Sequence, residues 1–240
     1  MYQPRRYRNW IIKKDLVSFN ATLRETDLQI YACKQLKAAA LQSIKKHRRL
    51  LEKYIREHPL FLGALQPQEV EEDAPPIIRE MAEAGRRAGV GPMAAVAGAL
   101  AEAVGRDLLE LSPEVIVENG GDIFLSILRE RQVGIYAGES SPFTAKLGLS
   151  IPAQNTPLGI CTSSGTVGHS LSFGCADAVI VLACPAALAD AAATAIGNNI
   201  KEAADIDAEI EGAGRRYGIS GLVIIKGEKI GIWGDIKLVS

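Results

Sequence analysis

The chain is short of several residue types, and each shortage removes a class of function. Aromatic residues fill only 5% of its 240 positions. Single-stranded nucleic-acid binding depends on aromatic faces that stack bases, so the composition argues against that role. The formal net charge is −1, which gives no global field to attract nucleic acid or an anionic membrane. There are four cysteines, Cys33, Cys161, Cys175 and Cys184, and none stands in a CxxC pair. Their spacing fits no structural zinc site. They read as buried free thiols in a reducing, cytoplasmic setting. The longest apolar stretches are Ala-rich and fall short of the ~20 residues that span a bilayer. Met1 to Lys14 carries five basic residues with no apolar run behind them, so a secretory signal is not expected.

Apolar residues, by contrast, make up 48% of the chain. A domain of this length buries roughly 70–75% of its unfolded surface and needs no disulfide or metal for stability. One domain over 1–240 is expected, with a basic arm at 1–14 and a Pro-rich linker at 66–76. Two short strands are expected within Ile11 to Tyr31, around the turn-prone Arg24-Glu25-Thr26-Asp27. Leu36, Ala40, Ile44, Leu51 and Ile55 form one apolar stripe, which predicts a helix from Cys33 to His58, stopped by Pro59. Pro75 and Pro76 mark a second helix start with Ile77, Ile78, Met81 and Ala82 on its inner face. Gly89-Val90-Gly91-Pro92 interrupts it, and an apolar helix follows from Met93 to Leu111.

Strands are expected near 113–118, 122–128, 132–137, 144–150, 158–162 and 177–183. A third buried helix is expected from Pro185 to Asp205. A closing hairpin turns at Lys226-Gly227-Glu228-Lys229. Adjacent strands without helices between them indicate an α+β fold, a mixed or antiparallel sheet packed with long helices.

Three constellations could carry chemistry. In Val117-Glu118-Asn119-Gly120-Gly121-Asp122-Ile123, an apolar run stops at two glycines. With no Cβ in the way, backbone can approach a ligand there, and outward-facing N–H groups make anion-binding concavities. Asp190 and Thr194 lie four apart, on one face of an otherwise small and apolar helix. A buried carboxylate needs a partner. A hard cation with oxygen ligands such as Mg²⁺ is one solution. An arginine or the helix N-terminus for Asp190, and a backbone bond for Thr194, are others. The loop Cys161-Thr162-Ser163-Ser164-Gly165-Thr166-Val167-Gly168-His169-Ser170 is rich in hydroxyls that suit phosphate or ring atoms. His169 is the best acid–base candidate among three histidines, with a structural role as the alternative. His47 and His58 read as surface residues. The basic run Lys45-Lys46-His47-Arg48-Arg49 reads as a solvated helix face rather than a nucleic-acid patch.

Three ordered segments, Gly89-Val90-Gly91-Pro92-Met93-Ala94-Ala95, Glu118 to Ile123 and Leu188-Ala189-Asp190-Ala191-Ala192-Ala193-Thr194-Ala195, resemble the ApbE superfamily of FAD-binding, Mg²⁺-dependent flavin transferases. The chain is most similar to its signal-less, UPF-type cytoplasmic branch. The resemblance implies an ApbE-like fold and a site for FAD or FMN with Mg²⁺. By position, Asp190, Thr194 and the Ala94 carbonyl match the metal ligands. Glu118, Asn119, Gly120, Gly121 and Asp122, with Ser163, Ser164, Gly165 and Thr166, match the nucleotide contacts. Asp190 and His169 are the catalytic candidates. The sequence departs from the pattern where Glu118 replaces Asn, Ala95 replaces Lys and Leu100 replaces Asp.

A flavin nucleotide or another phosphate-bearing small molecule is therefore the expected ligand. A protein partner and oligomer formation are open, and neither nucleic acid nor a membrane is expected. The branch also suggests an accessory role in anaerobic sulfur and homocysteine metabolism, with Cys161, Cys175 and Cys184 as candidate thiols. A non-catalytic interaction module is a third reading.

Overall fold

Two hydrophobic cores lie on opposite faces of one large sheet, and the alternation of side chains along the strands creates them. A computed structural model of the protein describes residues 15–144, 146–166 and 172–240. In β3 (Val115–Asn119), Val115 and Val117 enter one core while Ile116 enters the other. The same period of two places Phe124 opposite Ile123 and Leu125 in β4 (Asp122–Ser126). In β8 (Ala178–Ala183), Val179 and Val181 face one core and Ile180 and Leu182 the other. Both faces are covered, so these strands read as unbroken apolar runs rather than as alternating ones.

The remaining strands are β1 (Val17–Leu23), β2 (Thr26–Ala32), β5 (Arg131–Gly134), β6 (Gly148–Ile151), β7 (Leu158–Ser163), β9 (Gly221–Lys226), β10 (Lys229–Gly234) and β11 (Lys237–Val239). The eight-stranded sheet runs β1-β2-β3-β4-β7-β8-β9-β10, and the three-stranded one β11-β6-β5. Every ladder among the described residues is antiparallel. The small sheet closes the second core through Val133, Leu149 and Ile151. This is the expected α+β architecture.

Helices α1 (Lys37–Glu57), α2 (Leu60–Gly63), α3 (Pro76–Ala88), α4 (Val96–Leu109), α5 (Ala186–Asn199) and α6 (Asp205–Tyr217) form the other layer. A 3₁₀ turn, Pro92–Ala95, leads into α4. α1 starts four residues later than its apolar stripe suggests, because Cys33 N–H is tied to Ser112 Oγ at 3.0 Å, holding the end of β2 extended. Ile55 is only half-buried, and Tyr54 takes the place expected for it in the core. The helix expected from Pro185 to Asp205 stops six residues early, and α6 beyond it was not expected. α5 ends at Asn199, and Asp205 accepts the N–H groups of Lys201 (2.8 Å) and Glu202 (2.9 Å) to turn the chain into α6.

α5 is apolar nearly all round because it is enclosed, with β7 and β8 on one side and α3 and α4 on the other. Among the described residues no single helix is long and apolar enough to cross a membrane. Residues 11–14, within the first expected strand segment, lie outside the described residues.

Within the basic run on α1, Lys46, His47 and Arg48 are paired. Lys46 and His47 meet Asp107 at 3.1 and 3.0 Å, and Arg48 meets Glu25 at 2.7 Å and Glu52 at 2.8 Å. His47 is thereby half-buried, not a surface residue as the basic run suggests.

Candidate functional site

The first turn of α5 lies where the helix layer comes closest to the sheet. A Cβ on Gly159 of β7 would stand 2.4 Å from the Ala186 Cα. One on Gly98 of α4 would stand 2.5 Å from the Ala186 carbonyl oxygen and 3.0 Å from the Asp190 Cβ. Two glycines thus pinch the start of α5. A glycine inside a helix costs stability relative to alanine, and here close packing offsets that cost. Glu102 of α4, 2% exposed, completes the junction. Its Oε2 accepts Ala186 N–H at 2.6 Å, and its Oε1 accepts Arg106 Nε–H at 2.9 Å. A carboxylate at a helix N-terminus satisfies an orphan N–H and complements the helix dipole.

Truncating this cap strands a buried N–H. Glu102→Ala is expected to lower unfolding stability by about 2–3 kcal/mol. Glu102→Gln, which keeps an acceptor, should lose less. Urea melts of the three proteins decide the matter, and equal midpoints would refute the cap.

Asp190 sits one turn further along α5. Its Oδ2 accepts Gly98 N–H at 2.9 Å. The residue is half-buried, and the protein around its carboxyl withdraws enough water to push its pKa up to about 7. Thr194, also half-buried, follows on the same face. The 3₁₀ turn that carries Ala94 packs against α5, and Ala94 N–H is bonded to the Gly91 carbonyl at 3.1 Å.

The hairpin turn between β3 and β4 meets the same junction. Asn119 pairs with Asp122, leaving Gly120 and Gly121 as a two-residue loop with φ of +69° and +109°. Positive φ at both central positions belongs to the type I′ hairpin, which glycine adopts without strain. Turn geometry is therefore the reason for the double glycine. Asn119 Nδ2 donates to the Ala97 carbonyl at 3.1 Å, so α4 bridges the turn and α5.

Asp122, 7% exposed, accepts Thr162 N–H at 3.1 Å. Burial, then the charges of Asp190 and Glu118, push its carboxyl well above the usual range, while the Thr162 bond pulls it back. Glu118 is 2% exposed, and its Oε1 accepts Gly121 N–H at 2.8 Å.

The hydroxyl loop is the far wall. Ser163 lies on the last residue of β7, near Gly197 of α5. That is seven residues beyond Asp190, or ~10 Å along the helix axis. Gly165 N–H donates to the Ala176 carbonyl at 2.9 Å, and a Cβ on Gly165 would meet the Gly174 carbonyl oxygen at 2.2 Å. Thr166 N–H donates to Ser164 Oγ at 3.1 Å, and its hydroxyl lies 3.4 Å from Asp177 Oδ1. His169 lies outside the described residues.

The site thus brings together Asp190, Thr194, Asn119 and Asp122 around the α4–α5 crossing. Ser163 to Thr166 lie along the same helix, further on. Three residues that sequence reasoning passed over hold the group in place: Gly98, Gly159 and Glu102. A glycine inside the Ala-rich α4 pattern was the one available signal.

The expectation of four buried thiols fails for three of them. Only Cys161 is buried; Cys33, Cys175 and Cys184 are exposed, each outside the strands and helices. Burial, and then Asp122 and Asp190, push the Cys161 thiol well up. Its Sγ lies 3.4 Å from the Ala186 carbonyl, to which it donates. A thiol held protonated in this way is no nucleophile.

Among the described residues no group of three or more His, Cys, Asp or Glu side chains could hold a metal ion. A cation at Asp190 would therefore draw on hydroxyl, main-chain and ligand oxygens. That is the hard donor set Mg²⁺ accepts, with one or two carboxylates and substrate phosphates.

Comparison with known proteins places this geometry. The family described as AbpE bacteria matches residues 8–212. A UPF0280 protein of Methanosarcina acetivorans is 42% identical over 206 residues, covering 84% of this chain and 80% of that one. A UPF0280 protein of Methanocaldococcus jannaschii is 42% identical over 232 residues, covering 95% and 92%. Among solved structures, the ApbE protein from Thermotoga maritima superposes with a TM-score of 0.59 at 12% identity, covering 91% of this chain and 97% of that one. The apo flavinyl transferase ApbE of Pseudomonas stutzeri gives 0.56 at 13%, covering 90% and 93%. At such identities the likeness is one of fold.

Proposed function

The chain belongs to the family described as AbpE bacteria, and on that premise we propose that it binds a flavin nucleotide, FMN or FAD, together with Mg²⁺ at the α4–α5 crossing. The observation that carries this reading is Asp190. A carboxylate pushed up to about 7, beside a second raised carboxylate at Asp122, gains from a cation in its place. Asp190, Thr194 and the Ala94 carbonyl are the oxygen donors for it. Bound there, Mg²⁺ would neutralise phosphate charge and act as a Lewis acid on a phosphoryl oxygen.

The protein's own groups do the rest. Gly98 N–H fixes the Asp190 carboxylate, Asn119 ties the hairpin turn to α4, and Ser163, Ser164 and Thr166 offer hydroxyls. The fold shared with a flavinyl transferase supports a further step, transfer of the FMN half of FAD to a hydroxyl of a protein target with release of AMP. His169 is the candidate to take the proton of that hydroxyl.

The reading is tested by denaturing freshly purified protein and identifying released nucleotide by mass spectrometry, together with thermal melts. FMN or FAD with Mg²⁺ at 100 times Kd should stabilise the fold by about 2.7 kcal/mol, which raises Tm by roughly 5–11 °C in a domain of this size. Absence of co-purified flavin and identical melts with nucleotide in Mg²⁺ and in EDTA would sink it.

A further inference from the structure

We propose that Glu118 is a specificity-determining residue whose carboxylate occupies the Gly121 N–H and so bars a phosphate group from the Asn119–Asp122 turn. The inference rests on the reading that this turn lines the ligand site.

A type I′ loop leaves its central amides outside the strand ladder, and two glycines leave them uncovered. A Cβ on Gly120 or Gly121 would meet nothing within 4 Å. Such an amide is where an anion would settle. Here the protein has placed its own anion there. Glu118 Oε1 accepts Gly121 N–H at 2.8 Å, a charge-assisted bond, from a side chain only 2% exposed.

A phosphate arriving at this amide must displace a buried carboxylate and then lie beside it. Like charges at that range are a strong deterrent, and selection commonly uses such repulsion against the wrong ligand. The turn therefore accepts an uncharged part of a ligand, such as a ring edge or sugar hydroxyls. Phosphates are directed to the α5 side, where Asp190 and Thr194 stand.

Inorganic pyrophosphate with Mg²⁺ is the probe, because it carries the phosphates and nothing else. In wild-type protein labelled with ¹⁵N-glycine, the Gly121 amide resonance should stay in place on titration with pyrophosphate and Mg²⁺. In Glu118→Gln, which keeps an acceptor and loses the charge, pyrophosphate affinity should rise about tenfold. In Glu118→Ala it should rise at least as much, and the Gly121 resonance should now move. Riboflavin, which has no phosphate, should bind all three proteins alike. A Gly121 resonance that moves with pyrophosphate in the wild type overturns the inference, and this readout needs no variant to fold. Unchanged pyrophosphate affinity in folded Glu118 variants overturns it too. Failure of the flavin reading is separate: it is loss of FMN and FAD binding by the wild type, whatever pyrophosphate does.

Discussion

Replacing Asp190 by asparagine is expected to abolish Mg²⁺-dependent nucleotide binding and, in the same protein, to raise stability at pH 8. The two effects share one cause. Changes to the surroundings of a metal ligand already cost 10–100-fold, so loss of the carboxylate itself should weaken binding by at least about 100-fold. Titrations with FMN in Mg²⁺ and in EDTA measure it.

The stability effect follows from linkage. Asp190 has a folded pKa of about 7, above its unfolded value near 4. Its favourable contribution is complete below pH 4 and is lost as pH rises through 7. The gap between wild type and Asp190→Asn should therefore be small at pH 4 and widen to pH 8, with asparagine the more stable. A shift of this size corresponds to about 4 kcal/mol. The group is half-buried and partly screened, so a gain of about 1–2 kcal/mol is expected. Equal melting curves at pH 8, without cation, would show that Asp190 carries no such strain.

Gly98→Val should be the most damaging single substitution near the site. Even the Cβ would stand 2.5 Å from the Ala186 carbonyl oxygen and 3.0 Å from the Asp190 Cβ. The first obstacle is backbone, which cannot rotate aside, so α4 and α5 must separate. Overpacking of this kind costs about 1–3 kcal/mol and occasionally more, equivalent to a Tm lower by roughly 2–12 °C. The bond from Gly98 N–H to Asp190 lengthens at the same time, so ligand affinity should fall with stability. A variant with unchanged Tm and unchanged FMN affinity would mean that the two helices are not held as close as 2.5 Å implies.

Sequence reasoning recovered what depends on local chemistry. The β3–β4 hairpin was legible because Gly120 and Gly121 stop an apolar run, and both adopt the positive φ that the turn requires. The shared face of Asp190 and Thr194 was legible because helical spacing is fixed. The end of α5 was placed too late, since an apolar run continues through Ile200 and only the poor helix formers Asn198 and Asn199 mark the break, and α6 was not foreseen.

What holds the site was barely legible. Glu102 caps a residue 84 positions away, and Gly98 meets Asp190 across 92. Nothing local distinguishes Glu102 from an ordinary helical residue, and a glycine within the Ala-rich α4 pattern is the one local signal at Gly98. Glu118 was visible as a departure from a family pattern. That its carboxylate folds back onto Gly121 depends on the turn conformation.

The pinched first turn of α5 has a consequence for timing. With Gly98 and Gly159 against Ala186, and Glu102 on its amide, α5 cannot slide or tilt without the sheet and helix layers parting. Its amide protons should exchange with solvent only through global opening, at the slow extreme of the molecule. The Ser164–Thr166 amides, on an exposed loop, belong to the fast extreme. Asp190 then waits in its final position on a rigid rail. Any fitting to the ligand is left to the opposite wall.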